Sequence, residues 1–284
     1  MNKLRIKELI KNFLVEDIAT GDLSAELVFD SEQEGSGVFL AKNNGIICGL
    51  DIISTAYEVF GDSVETELLK KDGDTIEKGE NIALVKGRIR TLLSCERVIL
   101  NLLQRMSGIA TATNNAVKLL DDKSIRICDT RKTIPGLRIF EKYAVRCGGG
   151  FNHRMGLYDG VMLKDNHIAF AGGIAEAVSL VKSKTGQMVK IEVETETREQ
   201  VLEAVCAGAD VIMFDNRTPA EIRELSKLVP ENIITEASGG IDIHNIADFK
   251  GCGVNYISMG SLTHSAEPLD ISFNSANGTK ASFM

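Results

Sequence analysis

The chain has 284 residues, 44% hydrophobic and 25% charged, with only 4 Pro and no extended Gly/Ser or single-charge tract. Such a composition excludes a long disordered linker and leaves room for one large domain plus a smaller one. A net charge of −8 excludes a general nucleic-acid binder, whose affinity rests on a positive face, but not a small anionic ligand held by a local cluster of Lys and Arg.

The N-terminal MNKLRIKELIKNFLVED reads as an amphipathic helix with Leu4, Ile6, Leu9, Ile10, Phe13 and Leu14 on one stripe. It lacks the apolar core of a signal peptide, and no run elsewhere could span a bilayer, so a cytoplasmic protein is expected. VFLAKNNGIICG predicts two short strands around an Asn44-Gly45 hairpin turn. ELLKKDGDTIEKGENIALVKG predicts further short strands with turns at Asp72-Gly73 and Lys78-Gly79. TLLSCERVILNLLQRMSGIATATNNAVKLL is apolar at helical spacing, with Ser107-Gly108 as a candidate break between two helices.

From about residue 124 the pattern changes. Six β-rich runs follow, at 125–128, 161–163, 189–193, 211–214, 233–236 and 255–259, and the later ones alternate with helical segments such as REQVLEAVCAGA. Alternation of this length predicts a parallel sheet with crossover helices, either a barrel short of eight strands or a doubly wound open sheet. Six cysteines (Cys48, Cys95, Cys128, Cys147, Cys206 and Cys252) lie mostly in apolar segments without CxxC or zinc-ligand spacing, and are expected to be buried and reduced.

Polar groups follow every run. The first is followed by Asp129, Thr130, Arg131 and Lys132, the second by Lys164, and the third carries Glu192 and Glu194. The fourth gives Asp215 and Asn216, the fifth Ser238, Gly239 and Gly240, and the sixth Gly260, Ser261 and His264. Ligands of α/β barrels and open α/β sheets sit at the carboxyl ends of the strands, so these residues define one candidate rim. Arg131, Lys132, His153, Arg154 and Lys164 make that rim a docking surface for at least two anionic groups, because Arg forks and Lys point charges both suit carboxylates and phosphates. Ser-Gly-Gly ahead of the helical-looking IDIHNIADF places free amides at a helix start, a phosphate site that MGSLTHS on the next strand end would share. Glu194 and Asp215 suit a hard cation such as magnesium, bound directly or through water, or sugar hydroxyls; the competing role is a structural ion pair with Lys164 or Arg131. Gly148-Gly149-Gly150 precedes FNHR rather than a helix and is not a P-loop.

EDIATGDLS, ERVILNLLQRMSGIAT, DTRKTIPGLRIFEKYAVRCGGGFNHRMGLYDGVMLKDNHI, IEVET, MFDN, EASGGI and ISMGSLTHS occur in that order between residues 16 and 265. Together they resemble the quinolinate phosphoribosyltransferases, also called nicotinate-nucleotide pyrophosphorylases (carboxylating). The resemblance implies an α/β fold: an N-terminal open α/β sandwich, here 1–106 joined by a returning 267–284, and an incomplete, about seven-stranded α/β barrel at 107–266 that carries the active site. It implies transfer of the phosphoribosyl group of phosphoribosyl pyrophosphate to quinolinate with decarboxylation, giving nicotinate mononucleotide in de novo NAD synthesis. Magnesium would accompany phosphoribosyl pyrophosphate, no organic cofactor is implied, and neither nucleic acid nor membrane is a partner.

The same resemblance assigns Arg131, Lys132, His153, Arg154 and Lys164 to the quinolinate carboxylates and the reacting centre, with the Thr130 hydroxyl beside the substrate. Glu194 and Asp215 fall near the ribose hydroxyls and the metal, and Lys132, Lys164, Glu194 and Asp215 are the expected catalytic groups. Ser238, Gly239, Gly240, Gly260 and His264 would cradle the 5′-phosphate. Arg97 would complete the neighbouring subunit's site in a homodimer or hexamer. MFDN, where a leucine more often precedes the aspartate, and Cys147 before the three glycines depart from the family pattern without removing a charge. The rivals are a molybdenum-transport-associated relative of the same barrel, a nicotinate phosphoribosyltransferase, and a non-enzymatic phosphometabolite-binding regulator.

Overall fold

A computed structural model describes residues 1–276 and divides the chain into two compact units. One holds Met1–Ala112, Pro135–Gly149 and the segment from Ala266; the other holds Thr113–Ile134 and Gly150–Ser265.

The first unit begins with α1 (Lys3–Ile18) and α2 (Leu23–Val28), followed by β1 (Glu34–Ala41), β2 (Gly45–Ile46) and α3 (Asp51–Phe60). β3 (Glu65–Leu68), β4 (Thr75–Ile76) and β5 (Asn81–Arg88) lead into α4 (Ile89–Leu120). Asn2 caps α1 by accepting from the amides of Leu4 and Arg5, and the helix buries Ile6, Leu9, Ile10 and Leu14 of the predicted stripe, with Phe13 half-buried and Leu4 exposed. Turns fall at Gly73 and Gly79, both at positive φ, as their sequence context predicts.

Two local expectations fail, each for a packing reason. The Asn44-Gly45 turn does not close a hairpin: β1 pairs with β5, whereas β2 pairs with β4. Gly45 instead sits where a Cβ would meet Leu269 and Thr111 at 2.7 Å. Ser107-Gly108 does not break α4, which is continuous over 32 residues. The Ser107 hydroxyl accepts from the Cys48 amide at 3.0 Å, and a Cβ on Gly108 would overlap the Glu267 carbonyl oxygen, so this glycine admits a neighbouring chain rather than ending a helix.

The second unit opens with β6 (Arg126–Cys128). The following helix α5 (Arg138–Cys147) packs within the first unit. Its apolar face explains why: Phe140 is buried with its ring 6.3 Å from that of Phe13, and the buried Glu141 carboxylate binds Arg105 through Nε at 2.7 Å and Nη2 at 2.6 Å. The barrel then alternates β7 (Val161–Leu163), α6 (Asp165–Ala171), α7 (Ile174–Lys182), β8 (Ile191–Thr195), α8 (Arg198–Ala207), β9 (Val211–Asp215) and α9 (Pro219–Ser226). It closes with β10 (Ile234–Ser238), a short 3-10 turn at Ile246–Phe249, β11 (Tyr256–Ser258) and α10 (Ser261–His264).

The six strands run in the order β6-β11-β10-β9-β8-β7, every pair parallel. The first strand in sequence therefore lies beside the last, as in a sheet that curves round on itself. Phe151 adds a one-residue parallel bridge to Cys128 on the far side of β6. The barrel is thus six strands and a bridge, incomplete between Phe151 and β7.

Beyond the barrel the chain returns to the first unit as β12 (Ile271–Ser275), antiparallel to β1, giving a sheet of order β12-β1-β5-β3. Residues 277–284 of the expected returning segment lie outside the described residues. Among the described residues no helix is long and apolar enough to cross a membrane.

Candidate active site

Side chains alternate along a strand, so Glu192 and Glu194 on β8 share one face, as do Glu236 and Ser238 on β10. Register sets their heights: Glu194 pairs with Met213, Ser238 with Asp215, and Ser258 with Cys128. Polar residues at the ends of all six strands therefore reach the same rim.

At its centre the Lys164 Nζ lies 2.6 Å from Glu194 Oε2, and Asp215 adjoins the same glutamate. Burial pushes the Asp215 carboxyl above the usual range, the negative Glu194 pushes it further, and Lys164 and the Asn216 amide pull it down. Asn216 Nδ2 donates to Asp215 Oδ2 at 2.5 Å from a backbone held at φ 54. Lys164 also caps α6, its amide donating to His167 Nδ1 at 3.0 Å, which explains the His in LKDNH.

A second acidic group lies deeper. The His153 amide donates to Asp129 Oδ1 at 3.0 Å, and its Nδ1 accepts from the Arg154 amide at 2.8 Å. Accepting at Nδ1 puts the ring proton on Nε2, which faces Glu192 Oε2 at 3.0 Å and Glu236 Oε1 at 3.8 Å. Both glutamates are buried. Glu192 was placed on the rim from sequence without a role, whereas Glu236 escaped the sequence reading, although its position two residues before Ser238 on the strand was the available signal.

Burial first, and then the Glu192 charge, push Glu236 up to about 7 from 4.5. Between those values the unfolded chain releases this proton while the folded chain keeps it. Glu236 therefore makes stability fall as pH rises across that window, by a few kcal/mol at most, and the loss levels off above it. Glu236→Gln is expected to flatten this slope in denaturation series at successive pH values. Parallel curves for the two proteins would show that Glu236 titrates in the fold as it does in the unfolded chain.

Arg154 donates through Nη1 to the Gly160 carbonyl at 2.8 Å, while its buried Nε has no protein acceptor. Burial, and next the positive Arg131 beside it, lower its proton affinity, with Glu192 acting against them. Two guanidiniums that feel each other's charge favour an anion on this part of the rim. The Lys132 amide donates to the Thr130 hydroxyl at 3.0 Å and the Lys132 carbonyl accepts from Thr263 Oγ1 at 2.7 Å, so the backbone that presents Lys132 is held from both sides. Thr130 thus spends its acceptor on the loop.

Ser238 accepts at its Oγ from Ser258 Oγ at 2.8 Å, which ties the ends of β10 and β11 together. Gly239 and Gly240 follow at φ 90 and 64. The expected helix does not start there: residues 241–245 form a turn in which Asn245 Oδ1 accepts from the Asp242 amide at 2.9 Å, and only then does the 3-10 turn begin. The amides of Gly239, Gly240, Gly260 and Ser261 meet no protein acceptor among the described residues, so loop donors take the place of a helix terminus. His264 lies over Gly260, where a Cβ would come 3.2 Å from its ring and 2.9 Å from Lys132 Cδ.

The structure therefore brings together every rim residue expected from sequence. Arg97 stands apart: it lies on α4 in the first unit, exposed and without a hydrogen bond or ion pair among the described residues.

Models of the quinolinate phosphoribosyl transferase C-terminal and N-terminal domains match residues 109–274 and 22–107. The chain belongs to the quinolinate phosphoribosyltransferase family. It is 56% identical over 274 residues to a probable nicotinate-nucleotide pyrophosphorylase [carboxylating] of Bacillus subtilis (strain 168), covering 96% of this chain and 94% of that one. It is 41% identical over 289 residues to the chloroplastic nicotinate-nucleotide pyrophosphorylase [carboxylating] of Arabidopsis thaliana, with coverage of 94% and 82%. The crystal structure of NadC from Streptococcus pyogenes superposes with a TM-score of 0.93 at 40% identity, covering 96% of this chain and 97% of that chain.

Proposed function

We propose that this chain transfers the phosphoribosyl group of phosphoribosyl pyrophosphate to quinolinate with decarboxylation, yielding nicotinate mononucleotide, CO2 and pyrophosphate for NAD synthesis. The observation that carries this reading is the buried Arg154 Nε, without an acceptor among the described residues and within the field of Arg131, on the same rim as the Lys164–Glu194–Asp215 cluster. A dicarboxylate meets the guanidiniums and a cationic sugar carbon meets the carboxylates.

In this reading Arg131, Lys132, Arg154 and the Nε2–H edge of His153 hold the quinolinate carboxylates and orient the ring nitrogen toward C1 of the sugar. The bond from C1 to pyrophosphate breaks as the new bond forms, and positive charge develops on the ribose. Glu194 and Asp215 stabilise that charge and accept from the ribose hydroxyls, while Lys164 holds Glu194 in place and balances the pair. The amides around Gly239, Gly240 and Gly260, with Ser238 and His264, hold the 5′-phosphate. The 2-carboxylate then leaves as CO2, its electron pair stays on C2 beside the positive pyridinium nitrogen that stabilises it, and a proton from solvent takes the place of the carboxylate. Positioning and preorganised charge supply the catalysis, without a covalent nucleophile or an organic cofactor.

Two crowded carboxylates, one with a raised proton affinity, suit a hard cation with oxygen ligands, so Glu194 and Asp215 would hold magnesium directly or through water and substrate. Bound there, magnesium supplies positive charge to the departing pyrophosphate. Exposed and unpaired, Arg97 suits a role in a neighbouring subunit's site within a homodimer or hexamer. The six unpaired cysteines favour a reducing compartment, the cytoplasm.

The test is a product assay with phosphoribosyl pyrophosphate and magnesium, offering quinolinate and nicotinate in parallel. Nicotinate mononucleotide and CO2 from quinolinate alone are expected. Product from nicotinate without CO2, or silence from folded protein with quinolinate, would overturn the reading in favour of a nicotinate enzyme or a barrel relative that binds another anion.

A further inference from the structure

The first unit contains a reactive cluster that phosphoribosyl transfer leaves unused. Cys48, Asp72 and Cys147 bring sulfur and carboxylate atoms within 4.8 Å of one another, from distant parts of the sequence.

Cys48, in the loop after β2, is wholly buried and rigidly placed. Its amide donates to Ser107 Oγ at 3.0 Å, and the next two amides, of Gly49 and Leu50, donate to Asp72 Oδ1 at 2.9 and 3.0 Å. Cys147 is half-buried as the last residue of α5 and is followed by three glycines, so its end of the pair can shift. Tyr143, one turn earlier on α5, donates its hydroxyl to Asp72 Oδ2 at 2.8 Å. A hydrogen bond from the Cys48 thiol holds Cys147 below the usual thiol range, whereas burial holds Cys48 well above it. The pair is therefore asymmetric, with a reactive thiol at the accessible position and a protonated partner beneath it.

Metal binding fits these atoms poorly. Both Asp72 oxygens already accept hydrogen bonds, the Cys48 thiol keeps its proton, and no fourth ligand joins the cluster among the described residues.

We infer that Cys48 and Cys147 form a thiol pair that hydroperoxides oxidise reversibly to a disulfide. The Cys147 thiolate attacks an oxygen of the peroxide, the O–O bond breaks, and water or an alcohol leaves, making Cys147 a sulfenic acid. The Cys48 sulfur then attacks the Cys147 sulfur, the S–O bond breaks, and the departing hydroxide takes the Cys48 proton as water. Two electrons pass from the two thiols to the peroxide. The sulfurs must close to about 2 Å, a movement that the glycine-flanked end of α5 allows.

The experiment treats the reduced full-length protein with hydrogen peroxide, blocks remaining thiols, and maps peptides without reduction. Loss of both thiols in one linked Cys48–Cys147 peptide, restored by dithiothreitol, is expected. Cys95, Cys128 and Cys252 should stay blockable after unfolding, and exposed Cys206 should oxidise without a partner. In Cys48→Ala the sulfenic acid on Cys147 should persist long enough for dimedone to trap it, then advance to sulfinic acid. Sulfinic acid on Cys147 of the unaltered protein without the linked peptide would overturn the inference, as would oxidation of Cys206 with both Cys48 and Cys147 still free. The peptide map of the unaltered protein decides the matter even where a variant folds poorly.

Discussion

Lys164→Ala is expected to lower kcat/KM for quinolinate by about 30- to 5,000-fold while leaving the protein folded. The estimate follows from removing one member of a hydrogen-bonded charge pair in a reacting centre, a loss of about 2–5 kcal/mol at roughly 1.4 kcal/mol per tenfold. Nζ lies 2.6 Å from Glu194 Oε2, with Asp215 on the other side of that glutamate, so truncation leaves two carboxylates facing each other without a cation. The lysine side chain is 45% exposed, so water screens the pair in the resting protein and it contributes little to stability. Lys164 holds the Asp215 carboxyl down, and its loss moves that group's titration upward. A group that must be ionised then fails sooner on acidification, so the acid limb of the rate profile should shift to higher pH. Steady-state kinetics over a pH series, alongside a melting curve, check both. Near-normal turnover would remove Lys164 from the reacting centre.

Gly239→Ala is expected to cost about 100-fold in kcat/KM for phosphoribosyl pyrophosphate and about 1–3 kcal/mol of stability. Gly239 holds φ 90, where an L side chain is strained. A Cβ there would overlap Asn216 Oδ1 and approach the Asn216 amide to 2.8 Å. The amide belongs to the backbone and cannot rotate away, and Asn216 is the residue that steadies Asp215. The displaced loop thus disturbs the phosphate amides and the acidic pair together, and displacements of about 1 Å at a reacting centre carry losses of this size. Gly240→Ala provides the contrast: its added Cβ has no heavy atom within 4 Å, so only the strain at φ 64 applies. Equal kinetic losses in the two variants would assign the effect to strain and not to the Asn216 contact.

The strand ends were legible because two signals coincide in them, an apolar run and a polar residue directly after it. Val161–Leu163 with Lys164 came out as read, and the run at 211–214 reaches one residue further, to Asp215, ahead of Asn216. Glu236 was obscured because it stands inside its run, where alternation alone does not say whether the polar face meets water or a barrel interior. Gly108 and Gly45 misled for the opposite reason. A glycine that admits a neighbouring chain has the same letter as one that ends a helix or makes a turn, and the neighbours, Glu267 and Leu269, arrive from the far end of the sequence.

By itself the sequence determined the alternating strands and helices of the barrel, the charges on its rim and the family, since these rest on local periodicity and on runs of residues in order. Tertiary structure decided what depends on distant partners. It assigned α5 to the first unit through Phe13 and Arg105, and it set two buried glutamates against Nε2 of His153. It also brought Cys48 against Cys147. Burial and proximity between residues far apart in the chain fix proton positions and thiol reactivity, and no local pattern encodes them.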